Sequence, residues 1–204
     1  MGSFRKDPSA NPLATPSGKI EIFSSTIDKF SYEDCPGHPT WMEPCEWLGA
    51  ESVKKYPLHL ITNQPKTRLH SQYDNGGYSL ENKIREREPV SINPKDAVAR
   101  GISDGDIVRL FNDRGACLAG VIVTEDVMPG VVQLSTGAWY DPLVPGEIGS
   151  VDVHGNPNVL TIDKGTSKLA QGPSAMSALV EVELFEDELP PIKIFSPPDI
   201  IESA

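Results

Sequence analysis

Between residues 56 and 184 the apolar side chains come in short runs, each of strand length and each stopped by Gly, Asn, Asp or Pro. That rhythm is incompatible with a helical bundle, where apolar positions recur at three and four residues over longer stretches. It predicts strands at 58–62, 90–92, 107–111, 116–124, 131–134 and 178–184. Asn112-Asp113-Arg114-Gly115 supplies a hairpin turn between the third and the fourth. One short helix interrupts the series, with Asn93 placed to cap it, Pro94 to begin it and Gly101 to stop it. Short strands with few helices point to a β-barrel.

The flanks read differently. The 19 prolines crowd both ends, so residues 1–55 form an approach segment, 56–185 the barrel and 186–204 a tail. Within the approach, Lys19-Ile20-Glu21-Ile22-Phe23 alternates polar and apolar residues and predicts a strand. Residues 32–39 cannot be helical across Pro36 and Pro39. Trp41 and Trp47 need something to pack against.

Charge and cysteine usage exclude several functions. With 18 basic and 29 acidic residues the chain carries −11, and such a surface repels nucleic acid. A local pocket can still take an anionic cofactor. Cys35, Cys45 and Cys117 form an odd set without a CxxC pair, which argues against a disulfide framework and for a reducing compartment. Cys35, His38 and Cys45 lack a fourth ligand for a closed zinc site. No apolar stretch is long enough to span a membrane, and the first residues carry no apolar signal core, which leaves the leader of any longer parent open.

Three polar stretches follow strands and could carry chemistry. The first, Thr62-Asn63-Gln64-Pro65-Lys66-Thr67-Arg68-Leu69-His70-Ser71-Gln72, offers cations, hydroxyls and amides, which suit phosphates and heterocycle edges. An ordinary hydrophilic loop would look much the same. In the second, Ser135-Thr136-Gly137-Ala138-Trp139-Tyr140-Asp141-Pro142, Gly137 permits close backbone approach and the aromatics could stack on a flat ring. A packed aromatic corner is the plainer explanation. The third runs from His154-Gly155-Asn156-Pro157-Asn158 to Gly165-Thr166-Ser167-Lys168-Leu169-Ala170-Gln171. There Thr166 or Ser167 could cap a short helix suited to an anion, although turn and capping duties explain most of these residues. No GxGxxG, P-loop or HExxH motif is present, and no acid–base pair or Ser–His–Asp set stands out.

In their order, these motifs resemble the final domain of the dimethyl sulfoxide reductase family of molybdenum oxidoreductases. The resemblance is carried by Tyr56-Pro57-Leu58-His59-Leu60, Arg68-Leu69-His70-Ser71-Gln72, Arg87-Glu88-Pro89-Val90 and Gly101-Ile102-Ser103-Asp104-Gly105-Asp106. Gly137-Ala138-Trp139-Tyr140 and Asn156-Pro157-Asn158-Val159-Leu160-Thr161 continue it. The loops look closest to the biotin sulfoxide reductase branch. The resemblance implies a mainly-β double-psi barrel of the aspartate-decarboxylase-like class with a few short helices. It implies molybdenum held by two molybdopterin guanine dinucleotides, shared with N-terminal domains of a parent enzyme that reduces small S-oxides or N-oxides. The serine that ligates molybdenum in this branch has no counterpart here, so neither a catalytic residue nor a metal ligand is expected in this chain. Cofactor contacts are expected from Arg68, His70, Ser71, Gln72, Trp139, Tyr140, Asn156, Asn158, Thr166, Ser167 and Gln171. The parent is expected in the cytoplasm, with the periplasm as the alternative. Two other readings remain: a stand-alone enzyme of the aspartate-decarboxylase type, cleaving at Gly2-Ser3 or Gly149-Ser150, and a non-catalytic binding module.

Overall fold

The apolar runs become strands in a computed structural model, which describes residues 1–174 and 177–197. The strands are β1 (Leu58–Ile61), β2 (Pro89–Ile92), β3 (Ile107–Phe111), β4 (Ala116–Val123), β5 (Val131–Leu134) and β6 (Ala178–Leu184). They close into a barrel in the order β1-β5-β2-β4-β3-β6. β1 runs parallel to β5 and β2 parallel to β4, while the other neighbours are antiparallel. Parallel partners require crossovers, which is why long loops leave most strand ends. The tight hairpin is β3–β4, closed by Asn112 N–H donating to Gly115 C=O at 3.0 Å. This mainly-β closed barrel is the double-psi class expected from the sequence.

Strand alternation fills the barrel. Leu58 and Leu60 of β1, and Val90 and Ile92 of β2, are buried, while His59, Ile61 and Ser91 between them face outward. β4 is buried along its first six residues because a second apolar cluster of Ile107, Leu118 and Val153 covers its outer side. Gly120 lies under Ile84, where a Cβ would come within 2.3 Å of the isoleucine Cβ, so this crossing needs glycine.

Among the described residues four short α-helices accompany the strands: α1 (Gly2–Lys6), α2 (Ser25–Asp28), α3 (Gly77–Glu81) and α4 (Pro94–Ala99). α4 forms as the sequence dictates. The Asn93 side chain accepts from Lys95 N–H at 3.0 Å, Pro94 starts the helix, and Gly101 follows it at φ +66°. Residues 19–23, by contrast, are not a strand. Ile20, Ile22 and Phe23 are exposed and no neighbouring segment offers a ladder among the described residues, so alternation without a partner gave no sheet.

Contacts divide the chain into two compact units. One comprises residues 1–43 and 164–173; the other comprises 44–163 with the described part of 174–204, and holds the whole barrel. In the first, residues 164–173 form a small loop rather than the helix that Thr166 or Ser167 was expected to cap. Thr166 N–H and Oγ1 bond to Gly172 C=O and Ala170 C=O at 2.8 and 2.7 Å, and Gly165 pairs with Pro173. Those cross-loop bonds use the groups a helix would need.

Candidate functional site

The candidate site grows from the ends of β1 and β5. Ile61, Gln133, Ser91 and Ile122 lie in register across four neighbouring strands, β1, β5, β2 and β4, and face outward as one row. Above this row the two following loops are stitched together. Thr136 N–H donates to Asn63 C=O at 2.9 Å, and the Ser135 hydroxyl donates to Asn63 Oδ1 at 3.2 Å. Between row and loops runs a cleft of about 390 Å³ whose polar lining includes Asn63, Thr67, Ser91, Gln133 and Ser135. Amides and hydroxyls of this kind match both the edges of a heterocycle and phosphate oxygens.

At the base of the loops lies a buried charge network that inspection of the sequence missed. Arg68 and Lys83 face Asp74 and Glu88, and none of the four side chains is more than 3% exposed. Lys83 Nζ lies 2.9 Å from Asp74 and 3.0 Å from Glu88, while Arg68 reaches Glu88 at 3.0 Å and Asp74 at 3.4 Å. Arg68 also donates to Thr136 C=O at 3.0 Å, and Trp139 N–H donates to Asp74 at 2.9 Å. Burial alone would raise the Asp74 pKa, but hydrogen bonds from Lys83 and from Trp139 N–H, with the Lys83 charge, hold it below its ordinary value. Two cations balance two anions, so the cluster is neutral overall and joins both loops to α3 and to the approach to β2. The signal available in the sequence was the pair Lys83 and Glu88 close before an apolar strand.

Above the network stands an exposed turn, residues 69–72, closed by Gln72 N–H donating to Leu69 C=O at 2.9 Å. His70 at φ +50° and Tyr73 at φ +62° occupy the left-handed region, a strained arrangement that the neighbouring loop holds in place. Gly137, at φ +94°, packs so closely that a Cβ there would stand 1.9 Å from His70 C=O. The Trp139 indole N–H donates to Ser71 C=O at 2.7 Å. Rigid backbone and exposed side chains thus coincide at His70, Ser71 and Gln72, with Tyr140 45% exposed beside the partly buried Trp139.

Several sequence-predicted residues turn out to be occupied. Arg68 is consumed by the buried network. Asn156 is buried, its side chain accepting from Asn158 N–H at 3.0 Å, whereas Asn158 is exposed. Thr166, Ser167 and Gln171 belong to the other compact unit. There Gln171 Nε2 donates to Ser167 C=O at 2.8 Å, and the Ser167 hydroxyl accepts from Ala170 N–H at 3.0 Å.

His154 and Asp152 support the Trp139 loop from behind. Asp152, fully buried, accepts the backbone N–H groups of Asp141, His154, Gly155 and Asn156, yet burial pushes its pKa up. His154 Nδ1 lies 3.0 Å from Trp139 C=O, which makes it the protonated nitrogen, and Nε2 is buried without a hydrogen-bond partner among the described residues. The Phe195 ring meets His154 edge-on at 5.0 Å. Burial, then the Lys83 charge, lowers the His154 pKa below 6.5. An unfolded chain therefore takes up this proton first. The stability contributed by neutral His154 is complete above pH 6.5 and is lost as pH falls through the folded value. Ring resonances of His154 followed by NMR should titrate below 6.5; a midpoint at or above that value would contradict the arrangement.

Comparisons with known proteins bear directly on these loops. Residues 58–179 match the family model described as the molydopterin dinucleotide binding domain. The chain is 52% identical over 197 residues, 96% of its length, to the dimethyl sulfoxide/trimethylamine N-oxide reductase of Cereibacter sphaeroides, of which it covers 24%. It is 51% identical over 185 residues, 90% of its length, to trimethylamine-N-oxide reductase 1 of Escherichia coli K12, covering 22% of that protein. The chain thus spans about a quarter of the length of the curated relatives it matches. Among solved structures, acetylene hydratase from Pelobacter acetylenicus shares the fold with a TM-score of 0.68 at 21% identity, over 88% of this chain and 25% of that one. These relatives are named as S-oxide and N-oxide reductases, and the finer likeness to biotin sulfoxide reductase gains nothing from them. The chain belongs to the molydopterin dinucleotide binding domain family.

Proposed function

We propose that this chain is the part of a molybdenum-dependent S-oxide or N-oxide reductase that closes over a bis(molybdopterin guanine dinucleotide) cofactor, other domains of a longer polypeptide supplying the rest of the pocket. The observation that carries this reading is the locking of two polar loops into one surface, through Gly137 against His70, Trp139 onto Ser71 and Arg68 onto Thr136. The donor set fits the group. His70, Ser71 and Gln72 offer exposed donors and acceptors to pterin edges, Tyr140 offers a ring face, and Thr67 and Gln133 suit the phosphates and the base. When bound, the molybdenum centre supplies the redox chemistry of oxygen transfer. The chain's own residues bind, orient and exclude water. Arg68 acts from beneath as a brace; Asn158 remains a contact, while Asn156, Thr166, Ser167 and Gln171 contribute less, each with a side-chain polar atom already in a local hydrogen bond.

The parent is placed in the cytoplasm or periplasm; among the described residues no helix is long and apolar enough to cross a membrane. A decarboxylase-like reading has less support, because Gly149-Ser150 lies in a loop where the Ser150 hydroxyl accepts Val144 N–H, and Gly2-Ser3 lies in α1. Titration of the chain with cofactor released from a holoenzyme tests the proposal. Gln72→Ala should weaken binding by about tenfold, the loss of one or two hydrogen bonds to a buried polar edge. Unchanged affinity for both Gln72→Ala and Ser71→Ala would remove the turn from the site. The chain by itself should reduce no sulfoxide.

A further inference from the structure

A second groove, larger than the cleft, opens further along the outer face of β4, over Leu118 rather than Ile122. It has a volume of about 540 Å³ and lies between Arg109 of β3, the end of β6 and the loop that carries Leu143 and Val151. Its accessible apolar lining is Leu143, Val151, Leu184 and Phe185, which overlie the buried Leu118 and Val153. Its rim is acidic: Glu183, Glu186, Asp187 and Glu188 are all exposed. Arg109, the cation lining it among the described residues, is already spent, 2.7 Å from Glu183 and stacked over the Phe111 ring. Apolar surface continues beyond the groove onto the adjoining loop, where Leu143 is 48%, Val144 47% and Ile148 fully exposed.

From this arrangement we propose that the groove is a docking site for a separate polypeptide, through a segment that places a Leu-, Ile- or Phe-sized side chain against Leu143, Val151 and Phe185 and Lys or Arg against the acidic rim. Charge complementarity selects the occupant. The rim repels a dinucleotide phosphate, so the site is distinct from the cleft, and it repels a second copy of a chain that carries −11. A small organic cation would leave Val144 and Ile148 uncovered, whereas an extended segment covers both groove and loop. Permanent interfaces are depleted of charge at their centre, while an acidic rim around an apolar floor speeds and orients reversible encounters. That favours a partner that comes and goes over a neighbouring domain of the same polypeptide.

The test uses a short fluorescein-labelled peptide of alternating Leu and Lys, with fluorescence anisotropy on the chain and on the longer parent. Binding should weaken steeply with salt, and the double variant E186K/E188K should lose about tenfold or more in affinity. A peptide with Ser in place of Leu should also bind about tenfold more weakly, because the floor is apolar. Amide shifts on the unmodified chain should map to Leu118, Val151, Val153 and Phe185, a readout that does not depend on any variant folding. The proposal is overturned if the Ser peptide binds equally well, if the charge reversal changes nothing, or if the shifts map elsewhere. It is overturned equally if the parent refuses a peptide that the chain accepts, since its own polypeptide would then cover the groove.

Discussion

Lys83→Met is expected to lower the unfolding free energy of the chain by about 3–5 kcal/mol, the cost of breaking a buried ion pair from one side. Lys83 is the cation closest to both Asp74 and Glu88, and its removal leaves two buried carboxylates sharing Arg68. The hydrophobic gain from methionine cannot offset an uncompensated buried charge. Asp74 sets the sign of the pH dependence. Its folded pKa lies below 3.8, so its contribution is complete above that value and is lost as pH falls through the folded one. Without Lys83 the acid limb of the stability curve moves to higher pH. Glu88→Gln added to Lys83→Met restores a one-to-one balance and should recover part of the loss, because Arg68 then faces Asp74 alone. Urea denaturation of the single and double variants measures both effects. A single variant within about 1 kcal/mol of the parent chain, the worth of a surface pair, would show that the network is not a structural brace.

Gly137→Ala should be the other severe substitution. Glycine is required twice at this position, by φ +94° and by the approach of His70 C=O to within 1.9 Å of a would-be Cβ. Backbone strain alone costs about 1–3 kcal/mol. The collision adds to it and is relieved only by moving residues 70 and 71 away. Such a shift separates the turn from the Trp139 indole, which bonds Ser71 C=O. Stability should therefore fall, and cofactor affinity should fall by more than the turn substitutions cause. Thermal unfolding and titration of the variant decide the point. An alanine variant of normal stability and affinity would mean that the two loops are not locked at Gly137.

The barrel was legible because its strands bury alternate residues, and alternation survives in sequence whatever the topology. Val90-Ser91-Ile92 shows it, and so does the Asn93-Pro94 start of α4, where local capping chemistry decides the outcome. Residues 19–23 show the limit of the same signal, since alternation reports a side-chain pattern and not the presence of a partner strand. The loops were legible in part: two of the three polar stretches named from composition, 62–72 and 135–142, do come together, while residues 166–171 of the third belong to the other compact unit. What the residues could not reveal was which polar groups would be spent internally. Arg68 reads as a phosphate ligand until Asp74 and Glu88 are seen against it, and the three are 6 to 20 positions apart in sequence. His154 opened a polar stretch and gave no hint that it would be buried under Phe195, 41 residues later.

Hydrogen exchange of the chain with and without molybdopterin guanine dinucleotide is the most direct check that the two loops form one ligand-facing surface. Protection should rise together at residues 69–72 and 136–140, the turn and the Trp139 loop, and remain unchanged around Glu186 and Glu188. Protection of one loop without the other, or of neither at saturating cofactor, would contradict the account.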